Sequence, residues 1–278
     1  MIKKKNRAFQ MLEVVLVLLT VVTHWLIFYF ILINSFKTKT EASQLSLAFP
    51  KEWNIAENYT YIFQYGKGAF FQAFKNSLVL TFWSILILVL VSSMTAFIMQ
   101  RRRGLFSAIS DKLIVAGLIV PASIIPTYWM LNKLHVANTL TGLILVEVAT
   151  LFPFATMMYK GFIGTLPKEV DEAAIVDGCG PLTLFFRIIF PLLKPITASV
   201  VILRSIVVYN DFQNPQYYMS GSSSQTVQLC IYGLKSAFDT DYGHLFAAIV
   251  VVSIPLVVIY VILNRQMMEG MTSGAVKG

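Results

Sequence analysis

Six apolar runs punctuate the chain, at residues 14–33, 78–99, 113–131, 140–163, 192–212 and 245–263, with charged and polar residues gathered between them. At about 1.5 Å of rise per residue, each is long enough as a helix to cross a hydrocarbon core roughly 30 Å thick. The first, second and last runs are the clearest spans. The third contains Pro121 and Pro126, the fourth contains Pro153, and the fifth starts just after Pro191 and includes Pro195. A proline inside a span frees backbone groups and bends the helix, which is tolerated where neighbouring helices or a wet cavity supply new partners. The pattern predicts an all-α, polytopic membrane protein. It is a single transmembrane domain over residues 1–278, with six spans and broken middle helices around a pathway.

Lys and Arg orient those spans. With the N-terminus inside, the cytoplasmic segments hold fourteen basic residues: Lys3, Lys4, Lys5, Arg7, Arg101, Arg102, Arg103, Lys112, Lys160, Lys168, Arg187, Lys194, Arg265 and Lys277. The outer segments hold seven, mostly in one long stretch, so both termini are expected in the cytoplasm. Five spans with a re-entrant fifth run would instead move Arg265 and Lys277 outside. The basic N-terminus followed by an apolar run looks like a secretory signal, but the run is long enough to span and no small-x-small cleavage site follows. It reads as a retained first helix.

Composition agrees with lipid as the main solvent: 56% hydrophobic and 13% charged residues, with a mean hydropathy of +0.70. The net charge of +8 sits in short clusters beside apolar runs, without a basic face carrying base-stacking aromatics, so nucleic acid is not an expected partner. Cys179 and Cys230 fall on opposite sides of the predicted membrane and cannot pair. No CxxC, HExxH or Cys/His cluster supports a metal site. Two outer segments are substantial. Residues 36–76 are rich in aromatics and predict an interfacial helix. Residues 213–243 are polar and flexible in the middle, at 220–225. Either can dock an external partner or serve as aromatic belt and ordinary loop.

Between the fourth and fifth spans lies a loop, residues 166–191, that predicts a short helix outside the membrane. Pro167 suits a first helical turn, and Glu169, Asp171 and Glu172 complement the positive end of the helix dipole. Gly178 stops the helix and Pro181 opens the next, 182–190, which leads back to the membrane. About three turns are expected, with Val170, Ala173, Ala174 and Asp177 along one side. Small residues there permit close approach by another backbone, and the acidic rim gives such a contact direction. By themselves the residues leave two readings open, a docking helix and an amphipathic helix resting on headgroups.

Glu172-Ala-Ala-x-x-Asp177-Gly178, followed by Ile188, Pro191-Leu192 and Pro195, resembles the EAA loop of ABC importer permeases. Nearly the whole chain is similar to the carbohydrate-uptake, MetI-like subfamily, specifically the maltose-type partner subunit with six spans. Asn76-Ser-Leu78, Leu151-Phe-Pro-Phe154 with Phe162, Leu166-Pro167, and the ending Gly274-Ala-Val-Lys-Gly278 carry that resemblance. Cys179 departs from the family's usual small residue, and Tyr209-Asn210 from its common Trp-Asn pair.

The resemblance implies a permease subunit that moves a sugar, expected to be an oligosaccharide, by alternating access in a bacterial or archaeal cell membrane. It makes the loop helix a cytoplasmic coupling helix whose Glu172, Ala173, Ala174, Asp177 and Gly178 seat in a groove of an ATPase, and it sends the tail 270–278 toward the ATPase dimer interface. The implied partners are a second, different but homologous permease, two ATP-binding subunits and an extracytoplasmic solute-binding protein. This chain carries no GxxxxGK[ST] phosphate loop, so ATP and Mg are expected on the ATPase, with no cofactor and no enzyme activity here.

Charges inside spans are costly and default to functional candidates. Glu147 and Arg204 fall at similar depths in the fourth and fifth spans and are expected to form an ion pair or to line one cavity. Tyr209, Asn210, Asp211 and Asn214 cluster at the outer end of the fifth span, where planar hydrogen-bonding groups and aromatic faces suit a sugar, though span ends are ordinarily polar and aromatic too. His24, His135 and His244 read as packing or interfacial residues. An ion-coupled secondary transporter is the alternative, with Glu147 as coupling site. It lacks a visible inverted repeat and leaves the loop helix unexplained. An intramembrane protease has no GxSxG, HExxH or in-membrane Asp pair to support it.

Overall fold

The computed structural model describes residues 7–102, 104–219, 225–234 and 240–275, with backbone alone for 7–10 and 268–275. Lys3, Lys4, Lys5, Arg103, Lys235, Lys277 and the middle of the outer loop at 220–224 lie outside the described residues, as does the end of the tail at 276–278.

All regular structure among the described residues is helical, without a strand. In chain order the helices are α1 (Arg7–Asn34), α2 (Lys39–Ala42), α3 (Ile55–Arg101), α4 (Leu105–Ile119), α5 (Ile124–Lys133), α6 (Leu140–Ile163) and α7 (Glu169–Val176). They continue with α8 (Pro181–Thr183), a π-helical stretch (Leu184–Ile189), α9 (Phe190–Leu192), α10 (Lys194–Tyr209), α11 (Gln213–Tyr218), α12 (Val227–Leu234) and α13 (Tyr242–Ala275).

Among the described residues, four stretches are long and apolar enough to span: Met11–Asn34, Ile55–Arg101, Leu140–Ile163 and Tyr242–Met267. Two bent pairs bring the number to six if each pair is one span. The third run is not the single helix expected over 113–131: α4 and α5 meet at 118° around Pro121, because a residue preceding proline is pushed out of the α region. The fifth is likewise broken, with Pro181–Leu192 and Lys194–Tyr209 meeting at 75° just before Pro195. The expected helix over 182–190 starts at Pro181 and runs mostly as π-helix. The fourth run forms one helix with the expected bounds, and Pro153 lies within it.

By its contacts the chain divides into two compact units. In the first, Met1–Phe70 with Ile231–Ser253, α1 leaves its apolar surface bare until its last turn, where Ile33 and Asn34 are buried. Just beyond it, the Lys37 side chain is buried and its ammonium donates to Asn34 Oδ1 (3.0 Å), the Ser46 carbonyl (2.7 Å) and Ser46 Oγ (3.1 Å). Burial pushes that amine below its ordinary range, opposed by the Glu41 carboxylate. Asn58 Nδ2 donates to the carbonyls of Ser35 and Lys37, 2.9 Å each. These side chains tie down backbone that has little regular structure of its own. A helix does form in this segment, the start of α3 from Ile55, and Tyr65 to Gly68 leave helical geometry within it. Tyr61 stacks on His244 at 3.8 Å, so that histidine packs as expected.

The second unit, Phe71–Cys230 with Ile254–Gly278, holds the main core. Leu80, Leu88 and Ala96 of α3, Leu143, Leu151, Ala155 and Tyr159 of α6, and Val200 and Val208 of α10 are buried together. Between helices in lipid the driving term is close packing rather than the hydrophobic effect, and small residues allow it. Gly117 of α4 shows the need: a Cβ there would meet Pro153 Cγ of α6 at 2.9 Å. Tyr159 Oη donates to Thr197 Oγ1 (3.1 Å), joining α6 to α10 at a buried point.

Candidate functional site

Residues 166–178 form the unit expected from the loop pattern, in a tighter form. α7 has eight residues, about two turns rather than three, with Glu169, Asp171 and Glu172 in its first turn. Its end is closed by a Schellman arrangement. Cys179 N–H bonds the Ala174 carbonyl (3.0 Å) and Gly178 N–H bonds the Ile175 carbonyl (3.0 Å), with Gly178 at φ +80°. Only a residue tolerant of the left-handed region closes the helix this way, and nothing lies within 4 Å of where a Cβ would sit.

Burial divides the helix differently from the expected side. Asp171 and Ala174, one turn apart, are buried, while Glu172, Ala173, Ile175, Val176, Asp177 and Gly178 are exposed. Ala174, expected on the docking face, is turned into the protein's own core. The reason is an ion pair that the sequence pattern does not announce: Arg101, the last residue of α3, places Nε 2.5 Å from Asp171 Oδ2. Its Nη2 donates to Asp171 Oδ1 (3.3 Å), and both terminal nitrogens reach the Leu166 carbonyl at 3.5 and 3.4 Å. Ile175 and Val176 stand out in return, at 60% and 86% exposure. Neither was singled out from sequence, although two apolar residues ahead of a stop glycine on a short polar helix were a usable signal.

The mouth cluster is only partly as expected. Glu147 of α6 is buried and accepts from Asn214 Nδ2 at 3.0 Å, whereas Arg204 lies over the Phe154 ring, its guanidinium carbon 4.0 Å from the centroid. No Glu147–Arg204 ion pair forms among the described residues, which corrects the first of the two expectations for these residues. The aromatic face of Phe154, fifty residues back in α6, receives the cation instead. Asp211 accepts from the backbone N–H of Gln213 (2.9 Å) and of Asn214 (3.3 Å), fastening the first turn of α11. Asn210 donates to the Ile206 carbonyl and accepts from Gln228 Nε2, both at 3.0 Å. Tyr209 is buried, its hydroxyl unpartnered, beside a cavity of about 570 Å³ lined by Leu78, Thr81, Phe82, Ser205 and Pro255 among others.

A multi-pass, all-helical membrane protein that presents the exposed side of the short α7 between two of its spans is the class these elements define. The sequence over residues 112–271 matches the family described as binding-protein-dependent transport system inner membrane components, and the chain belongs to that family. It is similar to the melibiose/raffinose/stachyose import permease protein MelC of Bacillus subtilis, 31% identical over 258 residues and covering 92% of each chain. It is also 34% identical over 251 residues to the multiple sugar-binding transport system permease protein MsmG of Streptococcus mutans, covering 88% of each. The fold is shared with a chain from the crystal structure of a bacterial ABC transporter involved in the import of the acidic polysaccharide alginate. The TM-score is 0.82 at 15% identity, over 95% of this chain and 98% of that one. The importer permease expected from the loop is thereby borne out.

Proposed function

We propose that this chain translocates a sugar, of oligosaccharide size, as the membrane subunit of an ATP-driven importer, with α7 as the helix through which a separate ATPase drives it. The observation that carries the reading is the solvent-facing side of α7. Glu172, Ala173, Ile175, Val176, Asp177 and Gly178 combine two exposed apolar side chains with an acidic rim on a helix whose other side is anchored. Apolar residues at the centre and charges at the edge are what a protein partner's groove takes up. The names of the similar permeases support a sugar as cargo.

The ATPase binds ATP and Mg and performs the hydrolysis. A second permease completes the path, and a solute-binding protein delivers cargo from outside. Both termini and α7 lie in the cytoplasm, as the basic residues direct, and the end of α13 extends toward the ATPases. Closure of the ATPases moves α7 and rocks the spans between inward- and outward-open states. Among the pathway candidates, Arg204 Nε and the Tyr209 hydroxyl are buried without a hydrogen-bond partner, which leaves them capacity for a ligand that a movement of the spans exposes. Glu147, Asn210, Asp211 and Asn214 shape the path's outer end through the bonds they make to their neighbours.

Co-purification tests the reading. Val176→Asp places a charge at the most exposed apolar position of α7, and the permease pair should then lose its ATPase while still inserting in the membrane. Retention of the ATPase with unchanged uptake overturns the assignment of α7.

A further inference from the structure

The reading of α7 as the docking helix leaves open which spans receive its movement. Chain connectivity supplies only α6 before it and, through the π-helical stretch, α10 after it. The structure adds a third attachment. One guanidinium, that of Arg101, holds the Asp171 carboxylate in the first turn of α7 and the Leu166 carbonyl ahead of that turn. One turn back on the same face of α3, Phe97 packs on Phe185 of the π-helical stretch, ring centroids 5.7 Å apart. The α3 end thus touches the segment before α7, α7 itself and the segment after it.

Burial decides that this contact is mechanical. The Arg101 and Asp171 side chains are 13% and 10% exposed, against 29% and 40% for another close pair in this unit, Lys160 with Asp111. An exposed pair yields to solvent under load, whereas a shielded guanidinium holding a carboxylate and a carbonyl fixes both distance and orientation. A lysine, as a point charge, keeps the attraction and loses the fork.

We propose that Arg101 is a positioning residue for transport: together with Asp171 and Leu166 it locks the end of α3 to α7, so that the second span moves as one body with the docking helix. This rests on the docking reading above. The clamp lies on the side of α7 turned away from the proposed ATPase face, so losing it should impair coupling without removing the ATPase.

The test uses the assembled importer in vesicles, comparing Asp171→Asn, Arg101→Gln and Arg101→Lys with the unaltered protein. The amount of bound ATPase should stay unchanged and ATP should still be hydrolysed. Cargo moved per ATP should fall roughly threefold to thirtyfold in the first two variants, and less with the conservative lysine. A ratio equal to that of the unaltered importer, or a loss of uptake only in proportion to lost complex, overturns the proposal. Spin labels at Arg102 and Glu169, both exposed, give a second measurement that needs no disabled variant. With the clamp intact their separation should be the same without nucleotide and with ATP trapped, and a separation that changes between the two states overturns the proposal. If the docking reading itself is wrong, Val176→Asp will keep its ATPase, an outcome independent of the clamp.

Discussion

Asn214 of α11 donates its side-chain amide to the Glu147 carboxylate of α6 at 3.0 Å, a hydrogen bond between residues 67 positions apart. A carboxylate buried in a span needs partners, and this one finds a neutral amide where sequence depth alone pointed to a cation. The same bond holds the short α11 against the long α6, and Asp211, in the same cluster, orders the first turn of α11 through the backbone N–H groups of Gln213 and Asn214.

Replacing Glu147 by Gln keeps an acceptor for Asn214 and should leave thermal stability in detergent unchanged or slightly raised. Glu147→Leu removes the acceptor, strands the amide, and should cost about 1–3 kcal/mol, read as a lowered midpoint of thermal unfolding.

Gly178 sits at φ +80° with open space around its missing side chain, so substitution there is penalised through backbone conformation alone. Gly178→Val should cost roughly 1–2 kcal/mol and loosen the closing turn of α7. Asn tolerates the left-handed region, and Gly178→Asn should keep most uptake and ATPase binding. Equal losses in both variants would show that the side chain, rather than φ, matters there.

Gly117 faces Pro153 across the α4–α6 contact, and even a methyl group would arrive 2.9 Å from Pro153 Cγ. Gly117→Val should force the helices apart and destabilise the protein by about 1–3 kcal/mol. Gly161, on the same α6, has nothing within 4 Å of where a Cβ would stand and should accept Ala with little effect in the same assay.

The Lys160 and Asp111 side chains are close but partly solvated, at 29% and 40% exposure. Asp111→Asn should change stability by less than about 1 kcal/mol, and that change should shrink further in high salt.

The two thiols offer a topology test. Cys230 is buried, and burial pushes its thiol above the ordinary cysteine range, which lowers the reactive thiolate. Cys179, partly exposed beside Gly178, should be labelled first by a membrane-impermeant maleimide, and only when the cytoplasmic face is accessible. Labelling of Cys179 from the outside would invert the proposed orientation.

Much of this was legible along the chain because the governing physics is local or one-dimensional. The 140–163 run became α6 with those bounds, since a long apolar stretch in lipid can satisfy its backbone only as a helix. The acidic first turn and Gly178 likewise announced α7, because caps act within a few residues, whereas Pro167, expected in the first turn, falls just ahead of the Lys168 cap. The places where expectation failed required knowledge of the third dimension. Proline content marked the third and fifth runs as irregular without giving the 118° and 75° bends, which depend on what the two halves pack against. Periodicity put Ala174 on the same side as Ala173, but a helix of two turns is oriented by its strongest contact, and that contact comes from Arg101, seventy positions earlier than Asp171.

By itself, then, the sequence determined that the chain is an all-helical membrane protein with a short capped helix between its fourth and fifth spans, because hydrophobic length and capping chemistry act over neighbouring residues. Only the tertiary structure decided which charges meet. Arg101 found Asp171, Arg204 found Phe154, and Glu147 found Asn214, since ion pairs and hydrogen bonds form between groups that packing brings within about 3–4 Å, regardless of their separation along the chain.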